Sequence, residues 1–166
     1  MFQDQLVNRI ARFLTEIGIE VVSSPLEQDS FLPGIHILNG KLFVDETKLI
    51  YPGDLLHEAG HLAVAPGNVR HSLSGEVIIP GADMDAVEVQ ATAWAYAATI
   101  HLGLVTRVLF HEGGYRGRSE GLIFTYGVGV YPGASALEEL GMTAGPETAG
   151  RLGVAVYPRM LRWLRE

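Results

Sequence analysis

Five consecutive residues, His57-Glu58-Ala59-Gly60-His61, carry the clearest chemistry in this 166-residue chain. On a helix, positions i and i+4 project from one face about one turn apart. Two imidazoles placed in this way can converge on one Zn²⁺ with Zn–N bonds of ~2.0–2.1 Å. Glu58 points about 100° away around the helix, a poor position for a third ligand but within reach of a zinc-bound water. Zinc lowers the pKa of that water towards ~7, so Glu58 can act as general base and hand the proton to a leaving group. With 6 His and 13 Glu in the chain, the H-E-x-x-H pattern arises by accident about 0.02 times. The plainer reading is two surface histidines on a core helix, with an ordinary exposed glutamate between them.

A tetrahedral catalytic zinc takes three protein ligands and a water. The chain has no cysteine, so any metal is held by histidine and carboxylate alone. The metzincin continuation is absent, because Val64 and Gly67 stand where its Gly and His would be. His71 is a loop histidine without a matching pattern. Glu88 is the better candidate. It opens a second helix in which Ala91, Thr92, Ala95 and Ala98 follow at helical spacing. These small residues allow close approach to Ala59, Gly60 and Ala63 on the first helix. Gly60 costs ~1 kcal/mol relative to Ala within a helix, and close packing is a reason to keep it. Asp83 and Asp85 remain open as alternatives. Glu88 also has a structural reading, as the N3 residue of a capping box begun by Asp85.

The elements that must position these residues follow from periodicity and turn chemistry. Phe2, Leu6, Ile10, Phe13, Leu14 and Ile17 predict an amphipathic first helix ended by Gly18. A short strand is expected over Ile19–Val22, then a polar loop from Pro25 through Ser30. Asn39-Gly40 between the apolar runs of Gly34–Leu38 and Lys41–Val44 predicts a type I′ hairpin. Asp54 is the expected N-cap of the helix over 55–65, which Pro66-Gly67 ends. The second helix is expected from Asp83–Asp85 to about Leu102. Further on, Gly113–Gly121 reads as a mobile loop and Leu122–Val130 as a strand. Ala134–Leu140 and Pro158–Leu164 read as helices. Neither an internal repeat nor a linker separates two units, so one domain over 1–166 is expected.

Composition bounds the function classes. The chain is 48% hydrophobic and 19% charged, as expected of a folded core. Its net charge of −7 disfavours phosphate backbones, so no nucleic-acid partner is expected. The stretch Ala86–Leu104 carries Glu88, Gln90 and His101, which suits a buried helix and not a membrane span. The N-terminus lacks a secretory pattern, and a cytoplasmic location is the expectation.

Other polar residues have ordinary explanations. His111, Tyr115, Tyr126 and Tyr131 are each capable of stabilising an oxyanion, but nothing in the sequence selects one over packing. His101 lies ~20 Å along the helix from Glu88, too far to share an ion. His36 is expected to face solvent. Arg116 and Arg118 could meet an acidic substrate or a carboxyl terminus, although a solvated loop explains them more simply. Trp94 and Tyr96 read as core and boundary residues.

With His57, Glu58 and His61 followed by Glu88, Ala91, Trp94, Ala95 and Ala98, the chain resembles the gluzincin group of zinc peptidases. More narrowly, it is similar to the ImmA/IrrE-type single-domain zincins over roughly residues 30–104. The resemblance implies an α+β, zincin-like fold: a small, mostly antiparallel sheet packed on helices, the H-E-x-x-H helix, and a second helix carrying the third ligand. It implies Zn²⁺ held by His57, His61 and Glu88, with Glu58 as the catalytic base, and hydrolysis of a peptide or protein substrate. The alternative is a binding or regulatory module on the same scaffold, its metal structural or absent. A fourth protein ligand or a plugged groove would favour the module.

Overall fold

The computed structural model describes residues 2–27 and 32–166. The end of the polar loop expected through Ser30 lies outside them. Helix α1 spans Gln5–Glu16 and is opened by Asp4, whose carboxylate accepts the N–H groups of Leu6 and Val7. This satisfies two donors that a helix start leaves unpaired. Ile10 and Leu14 are fully buried, each contributing about 1.5–3 kcal/mol of apolar transfer. Gly18 follows at φ +100°, the left-handed conformation of a helix stop.

Strands β1 (Val21–Ser23), β2 (Ile35–Leu38) and β3 (Lys41–Val44) form one sheet in the order β1-β3-β2. The hairpin is as expected, with Asn39 and Gly40 at φ 52° and 71° closing the Leu38–Lys41 pair. The sheet is nevertheless mixed and not mostly antiparallel. After β1 the chain crosses to the far edge for β2, and the hairpin returns β3 to the middle, parallel to β1. Ile35 and Ile37 face the core while His36 and Leu38 face outwards, the period of two expected of a half-buried strand.

Helices α2 (Asp54–Val64) and α4 (Met84–His101) form the central pair. Every side chain from Ala91 to Thr99 is buried, so α4 is the axis of the core. Two of its buried polar groups bond to backbone carbonyls: Trp94 Nε1 donates to the Trp163 carbonyl at 2.8 Å, and Thr99 Oγ to Ala95 O at 2.8 Å. A β-carbon on Gly60 would lie 2.6 Å from the Ala91 carbonyl oxygen. The glycine therefore sets how closely the two helices approach. No helix among the described residues is long and apolar enough to cross a membrane.

Two expected caps are displaced. Helix α2 begins at Asp54 itself, with Gly53 at the cap and no side-chain capping bond. Gly53 has no room for a side chain, since a β-carbon there would meet the Val108 carbonyl at 1.8 Å. Helix α4 is capped by Asp83, which accepts the Asp85 N–H at 3.0 Å. The Asp85–Glu88 capping box therefore does not form, and Glu88 lies two positions deeper in the helix with its carboxylate free of the helix end.

The short helix α3 (Gly67–Arg70) follows Pro66, and the C-terminal part departs further from expectation. Leu122–Val130 is not a strand. Helix α5 covers Ser119–Gly127, and Val130 N returns to Thr125 O. The apolar run L-I-F fits either period, and no strand among the described residues pairs with it. Helix α6 (Ala134–Glu139) is as expected, and α7 (Pro146–Leu152) adds another short turn of helix. Pro158–Leu164 is irregular and not helical, held by Leu161 N to Met142 O at 2.9 Å and by the Trp163 carbonyl beneath Trp94.

Two glycines separate close packing from helix propensity. Gly60→Ala should destabilise by about 1–3 kcal/mol through overpacking. Gly121→Ala, with nothing within 4 Å of the added carbon, should stabilise by up to about 1 kcal/mol. Urea denaturation of both variants reads the difference. Asp83→Ala should cost about 1 kcal/mol and Asp85→Ala much less, reporting which aspartate is the cap.

Candidate metal centre

His57 and His61 stand one turn apart on α2, with their Nε2 atoms 3.2 Å apart and ring planes 85° from parallel. Glu88 reaches them from α4. Its position follows from the Gly60–Ala91 contact: Glu88 precedes Ala91 by one turn, so the same face that touches Gly60 carries the carboxylate to the imidazoles. Its Oε1 lies 3.2 Å from His57 Nε2 and its Oε2 3.1 Å from His61 Nε2. One ligand atom from each of the three residues falls within 4.8 Å of the others, a group that could hold a metal ion.

The spacing fits a single small cation. Tetrahedral bonds of 2.0–2.1 Å put neighbouring ligand atoms about 3.3–3.4 Å apart; the two Nε2 atoms are 3.2 Å apart, and each meets a different oxygen of Glu88 at 3.1–3.2 Å. Hydrogen bonding alone suits the group less well. A proton on each Nε2 would set two N–H groups 3.2 Å apart, facing one carboxylate, whereas a divalent cation accepts lone pairs from all three side chains. The Glu88 side chain is 52% exposed and the imidazoles 15% and 12%. The centre therefore opens to solvent on the Glu88 side and is walled by protein behind the histidines.

The charges agree with the geometry. Burial pushes the His57 imidazole down, but the Glu88 hydrogen bond and charge outweigh it and leave the net shift upward. Hydrogen bonds from His57 and His61 hold Glu88 far below the usual carboxylate range. Burial raises Glu58, partly offset by His61 and His57. Glu58 lies off the ligand group and lines a cavity of about 90 Å³ with Ile35, Ile37 and Glu76. It is thus placed between the metal group and the sheet edge.

The other candidates fall elsewhere. Asp83 is the helix cap, Asp85 is exposed, and His71 is exposed outside the group. His101 packs against Phe13 and Trp163 at centroid distances of 5.4 and 5.1 Å. His36 is exposed on β2, as expected, at the rim of the Glu58 cavity. Tyr126 donates to Pro132 O at 2.8 Å, and Tyr131 packs on Tyr157 and Tyr96. Arg116 and Arg118 are exposed. Trp94 and Tyr96 are both buried, the latter deeper than a boundary position.

His111 and Tyr115, which the sequence does not single out, border the centre. Asp54 lies one turn before His57, and its Oδ1 is 2.7 Å from His111 Nε2. Tyr51 stacks on the His111 ring at 3.8 Å and 11°. Tyr115 places its hydroxyl 3.5 Å from His57 Nδ1, the side of the ring away from the ligand group. Burial holds the Tyr115 phenol well above its ordinary pKa, and the Asp54 and Glu88 charges add to this, so it stays protonated. The one local signal was Asp54 at i−3 to His57; nothing in the sequence pairs it with a histidine 57 positions away.

The chain matches no protein-family model, no curated protein and no solved structure.

Because His111 is buried with Nδ1 unpartnered among the described residues, Asp54→Ala leaves the ring without its carboxylate. A loss of about 1–3 kcal/mol is expected in chemical denaturation. An unchanged midpoint would show that the pair does not anchor the 111–119 segment.

Proposed function

We propose that the protein is a zinc-dependent hydrolase of peptide bonds, with His57, His61 and Glu88 as ligands and Glu58 as general base. The observation that carries this reading is the convergence of two imidazole nitrogens and one carboxylate within 4.8 Å, with Glu58 adjacent to one of those imidazoles in sequence. Zinc is the cation this donor set suits: two imidazoles and a carboxylate, without thiolate. The group contains three protein ligands among the described residues and is open at Glu88, which favours catalysis over a closed structural site.

Bound there, zinc would supply a Lewis acid that polarises the scissile carbonyl and acidifies water. The chain does the rest. Glu58 accepts a proton as water oxygen adds to the carbonyl carbon, and delivers it to the amide nitrogen as the C–N bond breaks. The burial that raises Glu58 makes it a stronger base than a solvated glutamate.

The sheet edge supports a peptide as substrate. The β2–β3 register turns the N–H and C=O groups of Ile35 and Ile37 away from β3. Ile37 O accepts from Gly75 N at 2.8 Å, and Ile35 is paired with Leu32 in an isolated antiparallel bridge, Ile35 N reaching Leu32 O at 3.2 Å. Among the described residues the Ile37 N–H has no backbone acceptor and is left as one outward donor for an extended chain. Ile37 borders the cavity that Glu58 lines.

Metal analysis and peptide hydrolysis test the proposal together. Purified protein should bind one equivalent of zinc and cleave an unstructured protein such as casein. Glu58→Gln should keep the zinc while kcat falls at least about 10²-fold. Unchanged cleavage by Glu58→Gln would remove the base assignment, and absence of zinc binding would remove the enzyme.

A further inference from the structure

Resting on the zinc reading above, we propose that Tyr115 is a positioning residue for the metal. Its hydroxyl oxygen accepts the Nδ1–H of His57 and so fixes the ring with its Nε2 lone pair towards the cation. A ring that gives Nε2 to a metal must carry its proton on Nδ1, and the partner of that proton sets tautomer and orientation. Tyr115 Oη is 3.5 Å from His57 Nδ1, and the two rings meet edge-on at 85°. The corresponding nitrogen of His61 is buried with no hydrogen-bond partner among the described residues. Of the two imidazoles, His57 is therefore the one with a side chain behind it.

The backbone is bent to place this phenol. Tyr115 and Arg116 are successive non-glycine residues in the left-handed region, at φ 55° and 53°, a conformation that L side chains disfavour. Such a pair persists only where the surroundings impose it. They do so through α2 itself. Asp54 holds His111 at 2.7 Å, and Ser119 Oγ donates to the carbonyls of His111 at 2.5 Å and Gly114 at 3.4 Å. Gly114 lies against the His111 ring, where a β-carbon would come within 2.9 Å of Cε1. The helix that presents His57 thus also anchors, one turn earlier, the segment that carries Tyr115. This closed circuit of contacts fixes the His57–Tyr115 distance independently of the ion.

Zinc affinity, measured by competition with a chromogenic chelator, tests the role directly, because Tyr115→Phe keeps the aromatic packing and removes only the hydroxyl. The variant should bind zinc about tenfold more weakly or worse, with the thermal midpoint of the metal-free protein unchanged. Long-range ¹H–¹⁵N spectra of zinc-loaded wild type give a second reading that needs no variant. His57 should carry its proton on Nδ1, in slow exchange with solvent. Wild-type zinc affinity in Tyr115→Phe, or a His57 protonated on Nε2, overturns this proposal alone. Failure of the wild type to bind zinc overturns the metal reading and this proposal with it.

Discussion

Glycine at position 60 lets the backbones of α2 and α4 touch, and the candidate metal centre depends on that contact. A β-carbon there would sit 2.6 Å from the Ala91 carbonyl, so any other residue must push the helices apart. The two histidines would survive such a shift, because their spacing belongs to one helix. The Glu88 bridge would not, because its carboxylate oxygens reach the imidazoles at only 3.1–3.2 Å from a different helix. A small residue inside a helix is usually a local weakness. Here it converts a two-residue motif into a three-residue donor set.

The polar face of α2 organises more than the three donor atoms. Asp54, His57 and His61 recur at i, i+3 and i+7, and each faces a different partner. Asp54 engages His111, His57 lies between Glu88 and Tyr115, and His61 meets Glu88. Glu58 leaves this stripe and meets the cavity beside β2. The helix therefore divides three surroundings: the carboxylate of α4, the phenol of the 111–119 segment, and the outer edge of β2. Removing water from these faces is costly for charged groups unless they are paired, and the pairing found here limits that cost.

What the sequence could reveal depended on the range of each interaction. The histidine pair was readable because i, i+4 geometry is local, and the Asn39-Gly40 turn because positive φ is a property of the residues themselves. Glu88 was readable in part, through the small residues that follow it; the displaced cap was not, because Asp83 and Asp85 are equally good capping residues and only the backbone decides between them. The 122–130 segment was misread because a run of large apolar residues fits both periods, and a strand exists only where a neighbour pairs with it. The pairing of Asp54 with His111, and of Tyr115 with His57, left no pattern. Those contacts join positions 57 and 58 residues apart, and nothing in either stretch alone specifies the other. The mixed sheet was hidden for the same reason, since the crossover that makes β1 parallel to β3 is a matter of chain path.

Anomalous diffraction at the zinc absorption edge, from crystals of the zinc-loaded protein, locates the ion without reference to activity. The expected map has one strong peak about 2.0–2.1 Å from the Nε2 atoms of His57 and His61 and from an oxygen of Glu88, with solvent completing the coordination. A saturated crystal with its zinc elsewhere, or with the two rings turned apart and no peak between them, would contradict the centre described above.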